Sequence, residues 1–218
     1  MKAARTRRLT DRETAIVSTL ALKLRLLAAG QIARTWWPQT TTGVNRSKRV
    51  LKELTDSGWL GSALAPGRQL LRLEKPLICW RPGEPPPSFE NLSKQAIGRL
   101  KALPLQKTRI YYASPRAVQA LGGSSPGRLL GCDYVAHDLH VGELYLRLLA
   151  QEPEKAASWA GEDVFAAERK GQKLPDAMLR DEHDKPKLVM EFIGAYSSAR
   201  LAALHEDCAC RGLPYEFW

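Results

Sequence analysis

The sequence predicts a mixed helix-and-strand protein of the α/β (α+β) class, built from two modules. Helical spacing of apolar residues alternates along the 218 residues with short runs that suit strands. A proline-rich segment, 82–88, interrupts these runs and is typical of an extended linker. The charge divides there too, since residues 1–90 hold 16 Lys and Arg against 7 Asp and Glu, while residues 91–218 hold 17 against 16. We therefore predict domains at 1–81 and 89–218, joined by the linker 82–88.

Composition excludes several classes of protein. A hydrophobic share of 44% and a charged share of 26% are ordinary for a globular chain and argue against disorder. No run reaches the roughly 18 apolar residues of a membrane span. The basic start is not followed by an apolar segment, so we expect neither a secretory signal nor a membrane partner. Four scattered cysteines are too few for a disulfide scaffold, which predicts reduced thiols and a cytoplasmic location.

Three helices are predicted in the first module. Residues 10–27 begin with a capping box, in which Thr10 and Glu13 satisfy each other's backbone amides. A short helix over 31–37 ends at Pro38, because proline cannot continue a helix. A third helix, about 44–57, has apolar residues on one side and polar, basic residues on the other.

Two extended runs follow, 59–64 and 69–74, and the segment 65–68 predicts a turn between them with Arg68 at its tip. Helix, short helix, basic helix and β-hairpin form the order of a winged helix-turn-helix. In that arrangement the third helix enters the major groove of double-stranded DNA, where arginine and asparagine read base edges. The predicted DNA-binding residues are Thr42, Asn45, Arg46, Lys48, Arg49, Lys52 and Arg68. The alternative is that the basic helix is a solvated face and its charge only aids solubility.

The second module alternates helices with strands. Helices are predicted over 89–103, 115–121, 135–149 and 197–211, with a strand at 108–113 and a last short strand at 214–218. Between them, the arms 175–180 and 187–193 predict a β-hairpin closed by the polar turn 181–186.

One carboxylate stands in an apolar strand of that hairpin. Glu191 interrupts an otherwise continuous apolar run, and a symmetric turn places Asp176 directly opposite it. Like charges so close need a divalent cation, a nearby Arg or Lys, or a raised pKa. The alternatives are a one-residue slip onto opposite faces, or pairing with Arg200 or Lys187.

These residues resemble the PD-(D/E)XK nuclease-like fold. The similarity lies in 173–178, which contains Pro175-Asp176, and in 189–193 around Glu191. The resemblance implies that Asp176 and Glu191 hold magnesium, that a glutamate on the preceding helix, Glu143 or less naturally Glu162, completes the site, and that a lysine follows Glu191 by two residues. Ile193 stands at that lysine position, and Lys187 lies about 13 Å away along an extended strand. The expected site is therefore degenerate.

The whole chain is similar to the replication-relaxation proteins of plasmids and mobile elements. The similarity rests on residues 51–60, on the Tyr-Tyr-x-Ser-Pro within 110–121, on 137–141, and on the stretch from Asp176 through Glu191 to Leu201. It implies a winged helix followed by a nuclease-like domain. We expect a sequence-directed DNA-binding protein of replication, mobilisation or transcription control that carries out no catalysis, binds no small-molecule substrate or cofactor, and forms a possible homodimer.

Two other functions stay open at this point. One is a magnesium-dependent DNA nuclease that uses Glu143, Asp176 and Glu191. The other is a protein-interaction scaffold in which the wing serves as a partner surface.

Overall fold

The computed structural model describes residues 8–124, 132–166, 169 and 174–218, without the side chains of Gly67, Cys132 and Asp133. The fold is α+β, as predicted. Its elements are α1 (Asp11–Leu22), β1 (Leu27–Ala28), α2 (Ala29–Trp36), α3 (Thr41–Asp56), β2 (Leu60–Arg68), β3 (Ile78–Trp80), α4 (Phe89–Lys101), β4 (Leu105–Ala113), α5 (Pro115–Leu121), α6 (Cys132–Gln151), α7 (Pro153–Ala157), β5 (Trp159–Gly161), α8 (Glu162–Phe165), β6 (Ala177–Arg180), β7 (Pro186–Glu191), α9 (Ser198–Cys210) and β8 (Tyr215–Phe217). No helix among the described residues is long and apolar enough to cross a membrane.

The chain forms two compact units, and their division does not follow the predicted domains. Unit 1 consists of Met1–Gly67 with Lys107–Leu139, and unit 2 of Arg68–Gln106 with His140–Trp218. The proline-rich segment 82–88 lies between β3 and α4, inside unit 2, and so does not link the two units. Each unit is assembled from two stretches that are separated along the chain. A single domain boundary placed in the sequence cannot describe such a division.

In unit 1, α1 begins as predicted and ends earlier. Thr10 caps the helix, and Glu13 returns the hydrogen bond to the backbone of Thr10, as the capping box requires. The predicted continuation to residue 27 is wrong, because Leu27 and Ala28 form a strand that pairs antiparallel with β4. The resulting three-stranded sheet has the order β1–β4–β2. The local sequence allows Leu27 and Ala28 to continue the helix or to form a strand. Their pairing with β4 makes them a strand.

The predicted hairpin of residues 59–74 is also wrong. β2 runs unbroken through residues 65–68, and 69–74 contains no strand. Its sheet neighbour is β4. The backbone amide of Ser114 donates to Trp59 and that of Gln69 to Pro104, so opposite ends of the two segments meet and they run antiparallel. Pro66 is tolerated because β2 is an edge strand, where a missing N–H costs no ladder bond.

The turn between α2 and α3 depends on a glycine. α2 ends before Pro38 and α3 begins three residues after it, at Thr41. A Cβ on Gly43 would lie 2.1 Å from the carbonyl oxygen of Pro38, so only glycine allows this approach. The opposite end of α3 closes at Gly58, whose positive φ of 75° suits a residue without a Cβ.

Unit 2 contains a five-stranded sheet in the order β3–β8–β7–β6–β5. β7 and β8 are parallel and are joined through α9, whereas the other neighbours are antiparallel. α4 packs against α9. The apolar side chains of the sheet and of both helices form the core of the unit, which includes Leu92, Phe165, Val189, Leu201 and Tyr215.

Candidate functional site

The outward face of α3 carries the predicted DNA-binding side chains of this helix. Thr42, Asn45, Arg46, Lys48, Arg49 and Lys52 are all exposed. The opposite side is sealed into unit 1, where Ser47, Leu51 and Leu54 are about 1% exposed. At 3.6 residues per turn, Asn45, Arg49 and Lys52 lie at the centre of the exposed arc. The predicted polarity of this helix is therefore confirmed.

The basic residues of this face differ in their partners. Arg49 Nε lies 3.7 Å from Glu53 Oε1, and Lys52 Nζ lies 2.6 Å from an Asp56 carboxylate oxygen on the next turn. Asn45, Arg46 and Lys48 make no side-chain hydrogen bond or ion pair with any residue that the structure describes. Their donors are available to a ligand.

Both ends of α3 are fixed by hydrogen bonds. At the first turn, the Thr40 hydroxyl accepts the Gly43 amide at 3.1 Å. At the last turn, Ser114 donates from its hydroxyl to the Gly58 carbonyl at 2.7 Å. Arg116 donates to the Ser57 carbonyl at 2.9 Å while its guanidinium lies over the Trp59 ring. The helix presents its outer face from a defined position within unit 1.

Arg68 does not occupy the tip of a turn. It ends β2, is half-buried, and donates to the Leu103 carbonyl at 2.8 Å. This bond uses part of its donor capacity, and the predicted position at the tip of a turn is wrong. Sequence reasoning missed Lys107 and Arg109, which are exposed on β4 beside β2. The alternation of basic residues at 107 and 109 is visible in the sequence. Nothing in the neighbouring residues indicates that β4 pairs with β2, about 40 positions earlier in the chain.

The whole net charge of the chain lies in unit 1. Its residues include 16 Lys and Arg against 6 Asp and Glu, whereas unit 2 holds 17 against 17. The excess of 10 positive charges therefore belongs to the unit that contains α3. The charge is divided more unevenly between the two units than between residues 1–90 and 91–218.

The predicted placement of Asp176 opposite Glu191 is confirmed, although the turn is not symmetric, because a bulge pairs Arg180 with Pro186 instead of Lys187. Ala177 pairs with Met190 in the β6–β7 ladder, so the preceding residue, Asp176, falls opposite Glu191. Both side chains are buried, at 9% and 1% exposure. The carboxylate of Glu191 accepts the Asp176 amide at 2.8 Å, and the carboxylate of Asp176 accepts the Phe192 amide at 2.7 Å. Each charge is met by a backbone N–H at the end of the ladder.

Tyr196 completes this arrangement. Its burial, the nearby charges of Glu191 and Asp176, and a hydrogen bond to Glu191 raise its pKa, so the phenol stays protonated. The Arg200 guanidinium lies 3.6 Å from the centroid of the Tyr196 ring rather than in the predicted role of carboxylate partner. Lys187 is exposed. Backbone amides and a phenol are thus among the groups that meet the two charges.

The residues expected for nuclease chemistry do not form a metal-ligand group. Among the described residues, no three His, Cys, Asp or Glu side chains converge as a cation site, so Glu143 is not brought together with Asp176 and Glu191. Ile193, at the lysine position, is completely buried. Glu143 and Glu162 are half-buried on α6 and α8, and Lys173 lies outside the described residues.

Comparison with known proteins adds no relative. No protein-family model, curated protein or solved structure matches this chain. The resemblance to replication-relaxation proteins therefore stays a prediction.

Proposed function

We propose that the protein binds double-stranded DNA through unit 1, which acts as a winged helix-turn-helix module, and that it serves replication, mobilisation or transcription control without catalytic turnover. This proposal keeps the function expected from the sequence and changes the residues of the wing.

The order of elements in unit 1 supports it. Helix α1, the short helix α2 and the basic helix α3 are followed by the antiparallel pair β2 and β4. The pair takes the place of the predicted hairpin, although its strands are far apart in sequence. In such modules the helix at the position of α3 enters the major groove.

The observation that carries the proposal is the exposed face of α3. Asn45 and Arg46 are the side-chain types that make paired hydrogen bonds to adenine and guanine, and neither is engaged by a described residue. The helix beneath them is fixed at both ends, so the backbone that carries these donors loses little conformational freedom on binding. A surface that only aids solubility needs neither feature.

The remaining charge suits the phosphate backbone. Arg49 and Lys52 sit in exposed ion pairs, which are weak and open to competition from a polyanion. Lys107 and Arg109 on β4 take the wing role that the sequence had given to Arg68. Phosphate contacts supply affinity and position, whereas base contacts supply sequence preference.

The test is selection of duplexes from a random pool, followed by affinity measurements on the selected duplex and a scrambled one. Arg46→Ala and Asn45→Ala should each cost about 1–3 kcal/mol on the selected duplex and relax the preference at one base pair. Lys94→Ala is the matched control, because it removes an equally exposed charge from α4 in unit 2. Equal weakening on both duplexes would refute base reading, and no enrichment from the pool would refute the proposal.

For unit 2 we propose a degenerate PD-(D/E)XK-like scaffold without catalysis. Asp176 and Glu191 lie opposite each other, as the predicted hairpin requires, but both carboxylates accept backbone amides and Ile193 stands at the lysine position. An isoleucine cannot orient water or stabilise developing negative charge. No observation favours a magnesium-dependent nuclease over a DNA-binding protein. The same holds for a protein-interaction module.

A further inference from the structure

A cleft of about 430 Å³ opens in unit 1 beside α3. The first turn of α1 forms one wall, α3 forms the other, and Trp37 lies between them. Two cationic side chains line it, Arg12 from α1 and Arg49 from α3.

The guanidinium of Arg12 is held in place by an aromatic ring. Its central carbon lies 5.1 Å from the centroid of the Trp37 ring, and Trp37 itself is only 6% exposed. Arg12 is exposed and makes no ion pair with any residue in the described part of the chain. Stacking occupies the flat face of a guanidinium and leaves the N–H groups on its edge available, which is the geometry that binds phosphate oxygens in a bidentate manner.

Three carboxylates also line the cleft, those of Asp11, Glu13 and Glu53, and the exposed Asp11 together with Glu53 opposes an anion there. Glu13 is 2% exposed, and its carboxylate accepts both the amide and the hydroxyl of Thr10, so it serves to cap α1. Glu53 shares Arg49 across 3.7 Å, with side-chain exposures of 41% and 72%. A pair this exposed contributes little, so a phosphate can take Arg49 from Glu53.

We propose that this cleft binds a backbone phosphate of the duplex that α3 reads, with Arg12 and Arg49 as the two cationic contacts. The inference rests on the proposed function and extends its DNA contact from α3 to α1. A phosphate contact carries no sequence information, so Arg12 should add affinity equally on every duplex. Asp11 and Glu53 should act against it.

The experiment compares Arg12→Gln and Glu53→Gln in the full chain, by fluorescence anisotropy with the selected and the scrambled duplex between 50 and 200 mM salt. Arg12→Gln should weaken binding roughly tenfold on both duplexes, as expected for one lost charge-assisted hydrogen bond. It should also lower the slope of log affinity against log salt by about 0.9, the value for one phosphate. Glu53→Gln should tighten binding on both duplexes. Lys94→Gln, in unit 2, should leave affinity and slope unchanged.

Each result decides the matter. An unchanged affinity and slope for Arg12→Gln, while Arg46→Ala still weakens the selected duplex, would overturn the phosphate site and leave the proposed function standing. A wild-type protein that binds neither duplex would overturn the proposed function itself. Thermal unfolding checks that the variants fold. If Arg12→Gln does not fold, Glu53→Gln decides, because weaker or unchanged binding by that variant contradicts an anion in the cleft.

Discussion

At the scale of single residues, the pairing of Asp176 with Glu191 is explained by hydrogen bonding. Their carboxylates accept backbone amides at the end of the β6–β7 ladder, where strand pairing no longer satisfies those amides. A buried N–H without an acceptor costs about 1–3 kcal/mol, so each carboxylate stabilises the fold by accepting the amide that faces it. Stability therefore depends on the acceptor oxygens at these positions.

A pair of variants at Asp176 separates the acceptor from the charge. Asp176→Ala removes the acceptor of the Phe192 amide and should lower the free energy of unfolding by about 1–3 kcal/mol. Asp176→Asn keeps a carbonyl oxygen and removes the repulsion with Glu191, so it should stay within about 1 kcal/mol of the wild type. Urea unfolding measures both. An asparagine variant as unstable as the alanine variant would show that the negative charge itself is required.

The thiol of Cys208 gives a pH-dependent prediction. Burial raises its pKa from 9.0 to about 12, so the folded protein holds the proton over a range in which the unfolded chain releases it. The stabilising contribution is complete below pH 9 and is lost as pH rises from 9 towards 12.

Between pH 9 and 10.5, the unfolding free energy of the wild type should therefore fall more steeply than that of Cys208→Ala, by up to about 1.4 kcal/mol per pH unit. Tyr196 and Tyr215, whose pKa values are also raised by burial, are present in both proteins, but the charge of Cys208 that further raises the pKa of Tyr215 is absent from Cys208→Ala. Denaturant unfolding at several pH values gives the two slopes. Parallel slopes would contradict a thiol that stays protonated in the fold.

At the scale of elements, local sequence predicted helices better than strands. The capping residues Thr10 and Thr40 and the stop at Pro38 are local, and they set the starts of α1 and α3 and the end of α2 within a few residues. β1 and β2 depend instead on β4, which lies more than 35 residues beyond either of them. Pro66 and Gly67 looked like a turn because turn propensity is local, whereas an edge strand is defined by a partner that only the fold supplies.

The contact between α2 and α3 can be tested at one glycine. Gly43→Ala would place a Cβ 2.1 Å from the Pro38 carbonyl oxygen, so α3 must shift or the turn must open, and the melting temperature should fall. Gly30→Ala is the matched control, because nothing lies within 4 Å of its Cβ and alanine favours the helix by up to about 1 kcal/mol. An unchanged melting temperature for Gly43→Ala would contradict the close approach.

At the scale of the whole molecule, the sequence predicted two parts and placed their boundary wrongly. Charge and helical spacing revealed the basic unit that contains α3, because both are properties of neighbouring residues. The exchange of segments was not predictable: residues 68–106 leave unit 1 after β2 and contribute β3 and α4 to unit 2 before β4 returns. Only long-range pairing, such as that of Trp80 with Tyr215, shows where these strands belong.

This exchange predicts how the protein responds to being divided. A fragment of residues 1–81 lacks β4, the middle strand of its sheet, and a fragment of residues 89–218 lacks β3 with the buried Trp80. Both should show weak circular dichroism and poorly dispersed amide resonances, because each leaves a sheet unpaired and opens a core. The full chain, cleaved within 82–88 and kept together, should retain its fold, since that segment contains no helix or strand. Two separately folded fragments would instead restore the boundary that the prolines suggested, and would contradict the division described for the chain.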